Sequence, residues 1–170
     1  MVIDFVRLTR DDLLLLAKWF EEPHVRRWWI DADSDPDHLE AKYGPRIDGG
    51  WPEVFVVYVD GAPVGFVQWC PMEHYAEWYA DLEDTKDAIG IDYLIGEPDR
   101  VGQGLGTRVI GEFVSRAWVR FPNAGGVAAD PQPGNTASCR VLEKNGFHAV
   151  FEGRLPNEPV DARVYRLDRP

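Results

Sequence analysis

The strongest constraint in this sequence is the turn Gly102-Gln103-Gly104-Leu105-Gly106, set between a strand-like run at residues 88–95 and an amphipathic run that ends near Arg120. Glycine at alternate positions lets the backbone adopt conformations closed to other residues and brings its N–H groups up to a ligand with no Cβ in the way. At the start of a helix such a turn presents unpaired N–H groups at the positive end of the helix dipole, an arrangement suited to a pyrophosphate. Arg100, Gln103, Thr107 and Arg108 can add donors. The same pattern would also serve simply to turn the chain. No Gly-Lys-Ser/Thr follows, which sets aside a P-loop, and the turn lies far from the first strand, which sets aside the dinucleotide-binding fingerprint.

Periodicity around this turn predicts one α/β domain over residues 1–170. Residues 2–8 alternate like a strand, and Thr9, Arg10, Asp11 and Asp12 offer caps for a helix over residues 13–21. Residues 23–30 and 36–43 read as short helical pieces separated by an acidic loop at 31–35. Two β-rich runs, 53–59 and 62–69, are joined by Asp60-Gly61 and make the clearest hairpin. Residues 71–87 lack periodicity and read as an irregular excursion over a site. A strand at 88–95, the helix behind the glycine turn, a strand at 125–129, a helix at 136–145 stopped by Asn145-Gly146, and strands at 147–153 and 162–167 complete the chain.

With 29 acidic against 18 basic side chains and a net charge of −11, the chain is a poor nucleic-acid partner, since that binding relies on basic patches. The same surplus would steer a cation inward, or merely keep the protein in solution. Apolar runs such as residues 13–17 are too short for a membrane span, and the N-terminus mixes acids and bases where a signal peptide would not. A cytoplasmic protein is expected. Cys70 and Cys139 are too few and too far apart for a metal site and read as reduced structural thiols.

The stretch from Asp130 to Phe147 carries Asn135 at the head of a helix that closes in Glu143-Lys144-Asn145-Gly146-Phe147. Together with the glycine turn upstream, it resembles the GNAT acetyltransferases. That resemblance implies the GNAT fold, a mixed and mostly antiparallel central sheet flanked by helices, with acetyl-CoA as co-substrate and no metal. The CoA pyrophosphate would lie on Arg100, Gly102, Gln103, Gly104, Leu105, Gly106 and Thr107. Asn135 would meet the pantetheine arm or cap its helix, and the strand at Asp92, Tyr93, Leu94 and Ile95 would line the thioester. The sequence departs from the family in two places. Val101 stands where the turn usually begins with Gln or Arg, and Leu142 replaces the Tyr that often protonates the leaving thiolate.

Trp19, Glu22, Pro23, His24, Trp28 and Trp29 fit a Trp-x-x-Glu-Pro-His-x-x-x-Trp-Trp pattern, and Gly61-Ala-Pro-Val-Gly65 and Gly90-Ile91-Asp92 add further matches. These resemble the aminoglycoside 6'-N-acetyltransferases. An amine must shed a proton before attacking a thioester, and the resemblance places the family's catalytic carboxylate at Asp92. A polycationic aminoglycoside would then be met by Asp92, Glu73, Glu77, Asp130 and Asp161, with Trp29, Trp78 and Tyr79 covering its sugars. The competing readings are a siderophore or lysine N-acyltransferase, a peptide or protein N-acetyltransferase, and a CoA-binding module without turnover. A monomer or weak homodimer is expected.

Overall fold

The computed structural model describes every residue except 78, 80, 81 and 157. Its backbone divides into two compact units, Met1–Trp69 with Asp92–Leu105, and Cys70–Ile91 with Gly106–Pro170.

In the first unit β1 (Ile3–Arg7), β2 (Glu53–Val59) and β3 (Ala62–Pro71) pair antiparallel, with Ile3 opposite Val59 and Glu53 opposite Trp69. The Asp60-Gly61 turn takes positive φ at both residues, 50° and 81°, which matches the right-handed twist of the strands it joins. Three helices lie between β1 and this hairpin: α1 (Leu13–Glu21), α2 (Pro23–Arg26) and α3 (Pro36–Ile47). Their apolar faces meet in a core that includes Leu16, Trp19, Phe20, Tyr43 and Phe66.

Three expectations need correction here. The helical piece foreseen at 23–30 is shorter, the single turn α2, beyond which Trp28 and Trp29 both donate to the Val25 carbonyl. Trp29 thereby reaches the core, with its ring 5.1 Å from that of Phe66. The helix foreseen at 36–43 runs on through Pro45 to Ile47. A proline there removes one intrahelical bond, and the last-turn carbonyls find other donors: Asp48 N bonds the Gly44 carbonyl, Gly50 N that of Pro45, and an Arg7 Nη that of Arg46. The caps at residues 9–12 act one element early. Thr9 N and Oγ1 both bond Asp12 Oδ2, at 2.9 and 2.8 Å, around a short 3₁₀ turn that precedes α1.

β4 (Ala88–Ile95) begins in the second unit and ends in the first. In the second unit its first three residues pair parallel with β5 (Gly126–Ala129), which pairs antiparallel with β7 (Asp161–Asp168), and β7 with β6 (His148–Arg154). The strand order is β1-β2-β3-β4-β5-β7-β6, a mixed sheet of α/β class. α4 (Leu105–Arg120) buries the stripe Val109, Ile110, Phe113 and Ala117, and Arg169 bonds the carbonyls of Trp118 and Phe121 at its C-terminal end. α5 (Thr136–Lys144) lies close against it: Asn145 Nδ2 bonds the carbonyls of Thr107 and Val141, and a Cβ on Gly111 would stand 2.9 Å from Asn145 Oδ1. Both cysteines are buried and neither is in a disulfide. Among the described residues no helix is long and apolar enough to cross a membrane.

Candidate functional site

In the first unit the last half of β4 is fixed by named contacts. The backbone of β3 runs so close that a Cβ on Gly65 would come within 2.1 Å of the Leu94 carbonyl oxygen. Gly96 lies flush against the indole of Trp19, where a Cβ would sit 2.1 Å from a ring carbon. The same indole donates from Nε1 to Glu97 at 2.9 Å, and Lys18 reaches that carboxylate at 2.8 Å. These two donors hold the Glu97 carboxyl below the usual carboxylate range. His24 Nε2 stands 2.9 Å from the Ile95 carbonyl oxygen. The Trp-Glu-Pro-His signature is therefore a clamp on the end of β4, and His24 belongs to it structurally.

Asp92 lies within this held segment. Gln68 on β3 is 6% exposed and donates from Nε2 to Asp92 Oδ2 at 2.8 Å. Its Oε1 accepts from Arg46 Nη1 at 3.1 Å, and the Arg46 guanidinium stands over the Tyr43 ring, 5.0 Å from its centroid. Burial pushes the Asp92 carboxyl above its ordinary range; the Gln68 hydrogen bond and the charges of Arg46 and Lys42 oppose this, while Asp31 adds to it. The Tyr43 hydroxyl, on a residue 1% exposed, has no hydrogen-bond partner among the described residues, and burial raises it too. Sequence reasoning missed Gln68 and Arg46. Gln68 did leave a signal, as a polar residue inside the apolar strand run 64–70.

The glycine turn has the form a pyrophosphate needs. Gly102 and Gly104 take φ of 78° and 75°, and a Cβ on either would meet nothing within 4 Å, so their backbone borders open space at the head of α4. Arg100 Nε is buried without a partner among the described residues, a donor lacking an acceptor two residues from the first of these glycines. The residues present thus fit CoA phosphates. Three neighbours have other duties. The Gln103 amide bonds the Asp99 carbonyl, Leu105 is a buried core side chain, and Gly106 allows α5 to approach, since a Cβ there would stand 3.3 Å from Val141 Cγ2. The Thr107 carbonyl accepts from Asn145. On β4, Leu94 is buried while Tyr93 and Ile95 are half-buried.

Asn135, in the second unit, caps α5: its Oδ1 accepts from Ser138 N at 3.2 Å. Tyr79 and Asp130, foreseen as substrate residues, are brought together, with the tyrosine hydroxyl 2.5 Å from Asp130 Oδ2. Glu73 and Glu77 are exposed. Asp161 opens β7 and is paired with Arg154 of β6 at 2.8 Å, so its carboxylate already faces a cation. Trp29, in the first unit, packs on Phe20 and Phe66 and stays half-exposed. Trp78 lies outside the described residues. Leu142 is buried in the core, and the buried Tyr165 donates to Glu143 at 2.8 Å. Among the described residues no cluster of His, Cys, Asp and Glu could hold a metal.

Residues 9–155 match the family described as "Acetyltransferase (GNAT) domain". The chain is 25% identical over 158 residues to an aminoglycoside N(6')-acetyltransferase type 1 of Klebsiella pneumoniae, covering 90% of this chain and 77% of that one. It is 22% identical over 162 residues to the lysine N-acyltransferase MbtK of Mycobacterium tuberculosis, covering 94% and 74%. Among solved structures, the complex of AAC(6')-Ib with coenzyme A superposes with a TM-score of 0.86 at 23% identity, over 99% of this chain and 95% of that one.

Proposed function

The chain belongs to the GNAT acetyltransferase family and is an acetyl-CoA-dependent acetyltransferase, and from that premise we propose that it acetylates a primary amine on a polycationic sugar, the 6'-amine of aminoglycosides, as a single domain. The observation that carries this reading is the fixed carboxylate of Asp92 on β4, just ahead of the phosphate-binding turn, in a chain similar along 90% of its length to an aminoglycoside N(6')-acetyltransferase.

Acetyl-CoA supplies the activated acetyl group. Arg100, Gly102 and Gly104 hold its pyrophosphate with the N–H groups at the head of α4, in a turn that includes Gln103, Leu105, Gly106 and Thr107. Asn135 keeps its amide N–H for the pantetheine arm while its oxygen caps α5. Asp92 pairs with the substrate ammonium and accepts its proton, directly or through one water, which frees the nitrogen lone pair for the thioester carbon. Backbone N–H groups along Tyr93, Leu94 and Ile95 face the oxygen that gains charge. Leu142 has no proton to give, so the sulfur departs as a thiolate, and the second proton, which the nitrogen must shed to become an amide, passes to it through water.

Glu73, Glu77, Asp130 and Asp161 supply carboxylates for the remaining ammonium groups, and Trp29, Trp78 and Tyr79 supply ring faces. The Arg154–Asp161 pair is exposed on both sides and worth less than about 1 kcal/mol, so a substrate cation can displace it. The decisive assay is thiol release from acetyl-CoA with kanamycin, tobramycin, a 6'-hydroxy aminoglycoside, lysine and an N-terminal peptide. Turnover confined to 6'-amino aminoglycosides is expected. Turnover on lysine or peptide with silence on every aminoglycoside overturns the substrate assignment and leaves the acetyl donor in place.

A further inference from the structure

Arg46 has no role in the chemistry proposed so far, yet it is joined to the carboxylate at the centre of that chemistry by one side chain. Its Nη1 donates to Gln68 Oε1 at 3.1 Å, and Gln68 Nε2 donates to Asp92 Oδ2 at 2.8 Å. An amide can serve two such partners in only one orientation, with its oxygen toward a donor and its nitrogen toward an acceptor. The guanidinium, which has only donors, therefore fixes which end of Gln68 faces Asp92. Reversal of the amide would set its N–H₂ against the guanidinium and its oxygen against the carboxylate, two repulsive contacts inside the fold.

We propose that Arg46 is a positioning residue for Asp92: through Gln68 it locks one carboxylate oxygen in place and keeps the group anionic, leaving Oδ1 to the substrate ammonium. This rests on the reading of Asp92 as the group that takes the amine proton.

The charges around Asp92 favour this assignment. Asp31 lies in the loop after α2, and Lys42 and Arg46 lie on α3; Gln68 on β3 and the Tyr43 hydroxyl are uncharged. Lys42 and Asp31 are ion-paired at 3.1 Å and act on Asp92 in opposite directions. Arg46 is left as the positive charge that opposes the burial of the carboxylate. It is tied down in its own right, by its position over the Tyr43 ring at 5.0 Å and by an Arg7 Nη that bonds its carbonyl at 3.3 Å.

The test is a carbon-13 NMR titration of the Asp92 carboxyl in aspartate-labelled protein, assigned by the signal that disappears in Asp92→Asn. Arg46→Met and Gln68→Leu are each expected to raise the midpoint by about one pH unit, and Arg46→Lys to restore most of that shift. The acid limb of kcat/KM on the best amine moves by the same amount, with the KM for acetyl-CoA unchanged. An unmoved midpoint in folded Arg46→Met overturns the proposal; if that variant does not fold, an unmoved midpoint in Gln68→Leu does so. The reading beneath it fails separately, when Asp92→Asn retains wild-type turnover.

Discussion

At the end of β4 the polar groups are tied into the fold: Asp92 to Gln68, the Ile95 carbonyl to His24, Glu97 to Trp19 and Lys18. Across residues 71–87 the organisation differs. Two short 3₁₀ turns, Met72–Tyr75 and Glu83–Thr85, punctuate the described residues of the segment, and Glu73 and Glu77 stand exposed while the Tyr79 hydroxyl reaches Asp130. A group that must accept a proton at one point in space needs neighbours that fix its rotamer and its charge. Groups that meet a large cation by long-range attraction need little of either.

The largest effect expected from this difference is on Asp92→Asn, which removes the proposed proton acceptor. Turnover should fall at least about a hundredfold with acetyl-CoA affinity near wild type, read by steady-state kinetics and calorimetry. Unchanged turnover would break the comparison at its centre. Next is Gly65→Ala, whose methyl cannot fit against the Leu94 carbonyl without moving a strand; a loss of about 3 kcal/mol is expected in urea denaturation. Trp19→Phe removes the indole donor from Glu97 and leaves a gap beside Gly96, at a cost of about 1–2 kcal/mol by the same measurement.

A subtler effect separates stability from activity. The Asp92 carboxyl titrates above its unfolded value, so the folded state binds the proton more tightly, and the stability this contributes at low pH is lost as pH rises through the folded midpoint. Asp92→Asn should therefore melt higher than wild type at pH 7, with the gain vanishing at about pH 3; a lower melting temperature at pH 7 would contradict the burial of the charge. The smallest effect belongs to the excursion. Glu73→Gln with Glu77→Gln should leave the melting temperature within about a degree, since exposed substitutions change stability by about 0.5 kcal/mol or less, while raising the KM for a polycationic amine a few-fold.

The elements legible from sequence are those that carry their own period and their own stop. α1, the β2–β3 hairpin and β4 fall where their periodicity puts them, and the glycine turn enters α4 as read. The misreadings at α2 and α3 arose where tertiary contacts decide the outcome: Trp29 is drawn back onto Phe66, and donors outside the helix satisfy the turn around Pro45. The pairing of Asp161 with Arg154 depends on the β6–β7 register, which no local pattern sets. Gln68 was visible in principle, as a polar side chain in an apolar strand. Arg46 was not, because its reach to Gln68 depends on α3 continuing past a proline.

Glu73 and Glu77 are exposed, and the side chains that hold Asp92, the Ile95 carbonyl and Glu97, namely Gln68, His24, Trp19 and Lys18, all lie outside residues 71–87. A chain laid out in this way can evolve toward new amines by single surface replacements, each nearly neutral for folding, while its acyl-transfer chemistry is inherited unaltered. Its selectivity is free to drift where its reactivity is not.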